Sequence, residues 1–262
     1  MSDRKETRSF MKRAMKLLGA ALAGIIGLLT VYGVLIEPRL ILDERHYEAA
    51  LPNLGTQWEG AEIAVISDIQ VGMWFANTAM VERIVDRAVE EDPEAVLIAG
   101  DFLYSNDPGN QEKIDTVLDL LAPITDAGIP SYAVLGNHDH IVGAAEELTT
   151  ALESRGVTVL LNESAEVPLP DGNPAPPLHV VGLGPAYQGL ADSEKAFSGI
   201  PASDARIVMM HNPDTFPTLP PDSAPLAVAG HTHCGQIAVP GTPDWSWLAW
   251  ECGSPILPWW NA

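Results

Sequence analysis

The chain has 262 residues, enough for one large domain or two small ones with a core of ordinary size. Its 14 basic and 35 acidic side chains give a formal net charge of −21. So acidic a body repels nucleic-acid backbones and anionic headgroups, which makes polymeric nucleic acid a poor partner. Two cysteines, Cys234 and Cys252, allow one disulfide in an exported protein but provide no framework.

The charge is unevenly spread. The first sixteen residues carry six basic side chains, Arg4, Lys5, Arg8, Lys12, Arg13 and Lys16, and Leu17 to Ile36 then runs for twenty residues without a charge. As a helix, twenty residues rise about 30 Å, the thickness of a bilayer core. Only Arg39 and Arg45 follow closely, so the basic end belongs in the cytoplasm. A cleaved signal peptide would have an apolar part of about 7–15 residues ending in an Ala-x-Ala-like site. Here the run is longer and ends Gly33-Val34-Leu35-Ile36-Glu37-Pro38, which favours an uncleaved anchor. The expected organisation is a basic cytoplasmic stretch over 1–16, a transmembrane anchor over 17–36, a linker over 37–60 and a folded domain over 61–262.

Within the domain, Glu62 to Ser67 reads as a strand, followed by a helix over Thr78 to Glu91. Asn77 or Thr78 caps it, Met80, Ile84, Val85 and Ala88 recur at helical spacing, and Pro93 stops it. Strand Ala95 to Ala99, helix Gln111 to Ala122, strand Ser131 to Leu135 and helix Ala144 to Arg155 follow, the last closed by Gly156. This alternation predicts a largely parallel first sheet. From Val157 the pattern changes to strands with turns: Val157 to Leu161, a Pro-rich loop from Pro168 to Pro177, Leu178 to Leu183, Arg206 to Met210 and Leu226 to Val228. A short helix fits Asp192 to Phe197. The tail after Pro240 holds Trp245, Trp247, Trp250, Trp259 and Trp260, suited to a headgroup region, to apolar ligand parts or to packing of a closing strand.

Five of these apolar runs end in ligand-type residues. They deliver Asp68 and Gln70, then Asp101, then Asn137 with His138 and Asp139, then His211, and finally His231 and His233. The ends of strands are where open α/β sheets gather their chemistry. Hard oxygen donors mixed with imidazole suit a pair of divalent transition metals.

In this order and spacing the residues resemble the calcineurin-like metallophosphoesterase superfamily, and more closely its membrane-anchored bacterial phosphodiesterase-like branch, from about Glu62 to about Val239. The resemblance implies a four-layer α/β/β/α sandwich whose second sheet is more antiparallel, a detail that alternation alone does not reach. It implies two divalent ions (manganese, iron, zinc or magnesium, with manganese favoured). Asp101 bridges them, Asp68 and His233 belong to the first metal, and Asn137, His211 and His231 belong to the second. His138 is then the catalytic residue at the leaving oxygen, oriented by Asp139. His140 and His179 fall outside the pattern.

Gln70 stands where the family has histidine. Three outcomes are open: a normal pair shifted toward manganese or magnesium, a half-occupied site with one tight metal, or an inactive relative. The implied activity is hydrolysis of a phosphoester by a metal-activated water, on a phosphorylated lipid headgroup, a cell-envelope component or a small soluble ester. The anchor would place the domain outside the cytoplasmic membrane. The alternative is a non-catalytic or mononuclear envelope-binding relative. Oligomeric state is not legible.

Overall fold

The computed structural model describes residues 2–73, 78–105, 109–169, 176–233, 238–239 and 242–246, and divides into two units, Met1–His46 and Tyr47–Ala262. In the first unit, helix α1 (Ser2–Val31) passes through a wider π-turn at Tyr32–Ile36 into α2 (Glu37–Leu40). Thr7–Leu40 is long and apolar enough to cross a membrane, and none of its apolar window is buried against protein. The helix starts well before residue 17 because the basic stretch is made of good helix formers, with no Gly or Pro before Gly19.

The second unit is built on two four-stranded sheets. The first contains β1 (Ile63–Ile66), β2 (Ala95–Ile98), β3 (Ser131–Ala133) and β4 (Val157–Val159), in that order and all parallel. The second contains β5 (Glu163–Val167), β6 (Leu178–Gly182), β7 (Ala205–Met210) and β8 (Ala227–Ala229), again in order. Helices α3 (Thr78–Glu90), α4 (Asn110–Asp126) and, after the short α5 (Asn137–Ile141), α6 (Ala145–Ser154) follow the strands of the first sheet. On the second sheet the corresponding elements are small, α7 (Ser193–Ala196) and the 3₁₀ segment Pro213–Thr218.

Side-chain alternation along the buried strands turns these elements into layers. On β2, Val96 and Ile98 pack with Val85, Ile114, Val117, Leu148 and Leu152 of the helices. The intervening Ala95 and Leu97 turn the other way, onto Val180, Ile207 and Met209 of the second sheet. On β7, Val208 and Met210 point outward to Ala196, Phe197 and Phe216. Three apolar layers therefore separate four layers of structure. Leu51, Leu54 and Trp58, in the stretch read as a linker, pack on the middle layer, and the Trp58 indole donates to the Pro176 carbonyl at 3.3 Å.

The sequence reading is corrected in several places. The second sheet is mostly parallel: β5 and β6 pair antiparallel, but β6–β7 and β7–β8 are parallel. The reason is that the chain crosses over through α7 and through Pro213–Thr218 instead of turning back in hairpins. Strand β4 closes the first sheet, since Val157 packs beneath α6 on Leu152 and its neighbours. Strand β5 was not foreseen, because Glu163, Ser164 and Glu166 mask its alternation. Helix α4 runs on past Ala122 through Pro123 to Asp126, drawn by Ile124, which is 1% exposed and continues the buried face of Leu120 and Leu121. Asn77, Cys234, Cys252, Trp247, Trp250, Trp259 and Trp260 lie outside the described residues. Trp245 falls in β10 (Thr242–Ser246), which pairs antiparallel with β9 (Ala238–Val239).

Candidate metal centre

The loops that leave β1, β2, β3, β7 and β8 meet at one end of the sheets. The first two run side by side beyond their strands: Asp68 donates its backbone N–H to Gly100 O at 3.0 Å, Gln70 to Asp101 O at 2.9 Å and Val71 to Phe102 O at 2.8 Å. Among the described residues, nine non-glycine positions have positive φ, and five of them are predicted site residues: Asp68 (56°), Gln70 (49°), Asp101 (56°), His231 (70°) and His233 (47°). Left-handed backbone at such residues costs of order 1–3 kcal/mol each and persists only where the surroundings over-determine it. Two glycines make the close approach possible. A β-carbon on Gly136 would lie 2.0 Å from Asp101 Oδ1, and one on Gly230 would lie 2.0 Å from Ser67 Oγ.

Asp101, His211 and His231 each offer a ligand atom, all within 4.8 Å of one another. Asp101 Oδ1 accepts the backbone N–H of His138 at 2.9 Å, and Oδ2 lies 3.2 Å from His211 Nε2. Burial pushes the Asp101 carboxyl up, but the His211 imidazole and the His138 N–H outweigh it and hold the group below its usual value. Burial pushes His211 down, and Asp101 more than reverses this. His231 is held below its ordinary value by burial and by its neighbour His211, which favours the neutral imidazole a metal requires. His211 Nδ1 lies 2.8 Å from Ala99 O, which fixes the tautomer with a free Nε2. The Nε2 atoms of both His211 and His231 are buried without a hydrogen-bond partner, since the 3.2 Å approach to Asp101 is out of line for one. Orphaned imidazole nitrogens beside a buried carboxylate fit a divalent cation.

A second group adjoins the first. Asp68 accepts the His231 backbone N–H at 3.2 and 3.1 Å and the Ser67 hydroxyl at 2.6 Å, and lies 3.5 Å from His233 Nε2. Gln70 is 5% exposed, and its Nε2 sits 3.1 Å from His233 Nε2. Asn137 begins α5, buried, with its Oδ1 accepting from Asn212 Nδ2 at 3.3 Å.

The expected partnership of His138 and Asp139 is not what the hydrogen bonds form. Asp139 is fully buried, and its two oxygens accept the backbone N–H groups of Leu103 and Gly136, both at 2.9 Å. Burial pushes this carboxyl up to about 7 despite those two donors. Asp139 therefore ties the β2 and β3 loops together and caps α5. The His138 ring instead stacks on Tyr104, with centroids 4.6 Å apart and planes at 27°. Sequence reasoning also missed Tyr187, whose ring edge meets His231 at 5.0 Å and whose hydroxyl donates to Asp214 at 2.9 Å. No motif marks either tyrosine. His179, outside the pattern, is a buried histidine 3.2 Å from Asp204.

The sequence profile of calcineurin-like phosphoesterases matches residues 61–235. The chain belongs to that family. The chain is 29% identical over 171 residues to phosphodiesterase YaeI of Escherichia coli, a match covering 63% of the chain and 58% of that protein. The chain thus spans little more than half the length of this relative. It is 25% identical over 236 residues to metallophosphoesterase YkuE of Bacillus subtilis, covering 89% of the chain and 78% of its relative. It is 24% identical over 245 residues to UDP-2,3-diacylglucosamine pyrophosphatase LpxG of Chlamydia muridarum, covering 78% and 73%.

Proposed function

We propose that the protein is a metal-dependent phosphodiesterase, working at the membrane on a phosphorylated lipid headgroup or cell-envelope phosphoester. Its ligands for two divalent ions, manganese favoured, are Asp68, Gln70, Asp101, Asn137, His211, His231 and His233. The observation that carries the reading is the convergence of Asp101 with the buried Nε2 atoms of His211 and His231, neither of which makes a hydrogen bond.

When bound, such ions hold phosphate oxygens, lower the pKa of a water and offset charge on the attacking and leaving oxygens. The chain's own residues do the rest. Asn137 adds a neutral oxygen, which keeps the centre's negative charge low enough to admit an anionic ester. Gln70 puts an amide oxygen where an imidazole would favour zinc or iron, and that supports manganese or magnesium. His138 gives a proton from its ring to the leaving oxygen, with its backbone N–H on Asp101 and its ring on Tyr104.

The lipid assignment is supported by the exposed apolar helix Thr7–Leu40 and by a relative named for a diacylated substrate. The basic stretch before that helix supports a single-pass protein with the domain on the extracytoplasmic side. To test the chemistry, the full chain in detergent is assayed on a chromogenic phosphodiester with manganese, magnesium and zinc, beside Asn137→Ala. Metal-dependent turnover that the variant loses is the expected result. A folded, metal-retaining chain without turnover would replace the reading with a non-catalytic binding relative. Deleting residues 1–36 should spare the soluble ester and reduce action on a lipid presented in vesicles, and equal loss of both would contradict the membrane substrate.

A further inference from the structure

We propose that the two metal positions of this centre are unequal, one preformed around Asp101, His211 and His231, the other latched shut by Gln70 on His233, so that the ions bind in sequence. The inference rests on the reading that these residues are metal ligands.

At the first position the donor atoms converge within 4.8 Å, and the Asp101 and His211 side chains are 1% and 0% exposed. His231 Nε2 has no hydrogen-bond partner to give up, and His211 Nε2 faces only Asp101, itself a ligand of the same position. A cation arriving there gains ligands that are desolvated already and oriented, which favours tight binding.

The second position is the reverse. Both Asp68 oxygens are engaged by the His231 N–H, and one by Ser67 as well. The His233 nitrogen that faces Asp68 at 3.5 Å is also the one paired with Gln70 at 3.1 Å. The Gln70 amide nitrogen can only donate, so it occupies the lone pair of that His233 nitrogen. A cation must break the pairing before His233 can ligate it, and Gln70 then offers an amide oxygen in place of imidazole. The His233 and Asp68 side chains are also 26% and 11% exposed, so water competes for the ion and weakens its attraction to the carboxylate. Gln70 therefore acts twice against the second ion, as a weaker donor and as a latch.

Full-length protein in detergent, stripped with a chelator, is titrated with manganese, and the free ion is followed by its paramagnetic resonance signal. One equivalent should bind tightly and a second about tenfold or more weaker, a ratio comparable to the worth of one competing hydrogen bond. Gln70→His should tighten the second step by about tenfold and bring out the spin-coupled spectrum of an ion pair. Asp68→Asn should remove the weak step and leave the tight one, with circular dichroism confirming that each variant is folded. Two equal steps in the native chain, a second step that Gln70→His leaves unchanged, or loss of the tight step in folded Asp68→Asn would overturn the proposal while keeping the ligand assignment. No uptake by the folded native chain would overturn both.

Discussion

The two sheets bring different chemistry to the one centre. Loops at the ends of β1, β2 and β3 carry every predicted oxygen donor, Asp68, Gln70, Asp101 and Asn137, while those after β7 and β8 carry every predicted imidazole, His211, His231 and His233. Neither sheet alone holds a mixed set of predicted ligands, so oxygen donors and imidazoles come together only where the two are packed face to face. The apolar layer between them, with Leu97, Tyr132 and Val134 on one side and Val180, Ile207 and Met209 on the other, is in that sense part of the site.

The largest effect that would break this comparison comes from emptying that layer. Leu97 lies between the sheets and Leu148 beneath the helices, both at 0% exposure. Truncating either to alanine should cost about 2–5 kcal/mol in chemical denaturation. Only Leu97→Ala should also weaken manganese uptake, because only it loosens the register between oxygen and imidazole donors. If Leu148→Ala lowers metal affinity equally, the sheets do not act as separate halves. Metal removal probes the same junction from the other side. An ion gripped by both sheets at a hundred times its dissociation constant adds about 2.7 kcal/mol to stability, so chelation should lower the thermal midpoint and added manganese should restore it.

The same division explains what could be read from residue order. The first sheet was legible because long amphipathic helices alternate with apolar strands, and Val85 with Ala88, Ile114 with Val117 and Leu148 with Leu152 recur at helical spacing. The second was harder: its cover is four- to six-residue segments too short to show a period, and β5 presents Glu163 and Glu166 at the edge of the sheet. Membership of β4 in the first sheet depends on pairing with Ser131 to Ala133, which no local pattern states. At the site, Asp101, His211 and His231, whose ligand atoms the structure brings within 4.8 Å of one another, could be named from their places after strands. The left-handed backbones of Asp101, His231 and Gln70 could not, since Asp and His only tolerate positive φ without requiring it, and Gln70 adopts it here where its N–H is bound to the Asp101 carbonyl. The hydrogen bonds of Asp139 were not legible for a similar reason: its partners are backbone N–H groups on two loops, one of them more than thirty residues away.

A smaller effect sharpens the junction at the site itself. A β-carbon on Gly230 would meet Ser67 Oγ at 2.0 Å, Ala99 O at 2.7 Å and Asp68 Oδ2 at 3.0 Å, so it is a second-sheet residue pressed on first-sheet atoms. Gly230→Ala should cost about 1–3 kcal/mol in stability, read from denaturant midpoints. Turnover should drop by about 10²-fold if the loop shifts by 1 Å. Gly136→Ala crowds Asp101 inside the first sheet's own loops. It should reduce turnover while the His231 and His233 loop keeps its place, seen as unchanged histidine ring resonances.

The smallest effect isolates a contact made within the first sheet alone. Tyr104 and His138 leave β2 and β3, and the stack between them involves no residue of the second sheet. The backbone of Tyr104 is held by its N–H to Val71 O at 3.0 Å, so the ring has a fixed base from which to support the imidazole. An aromatic stack is worth about 0.5–1.5 kcal/mol beyond the area it buries. Tyr104→Phe keeps the ring and should turn over within about twofold of the native enzyme. Tyr104→Leu loses the stack and should slow turnover by up to about tenfold, more on esters with poor leaving groups, which depend most on proton donation. Manganese uptake should be unchanged in both, because no metal ligand leans on the tyrosine. Loss of metal in Tyr104→Leu would mean that the ring holds the centre and not the imidazole, whereas equal slowing in Phe and Leu variants would transfer the role to the hydroxyl.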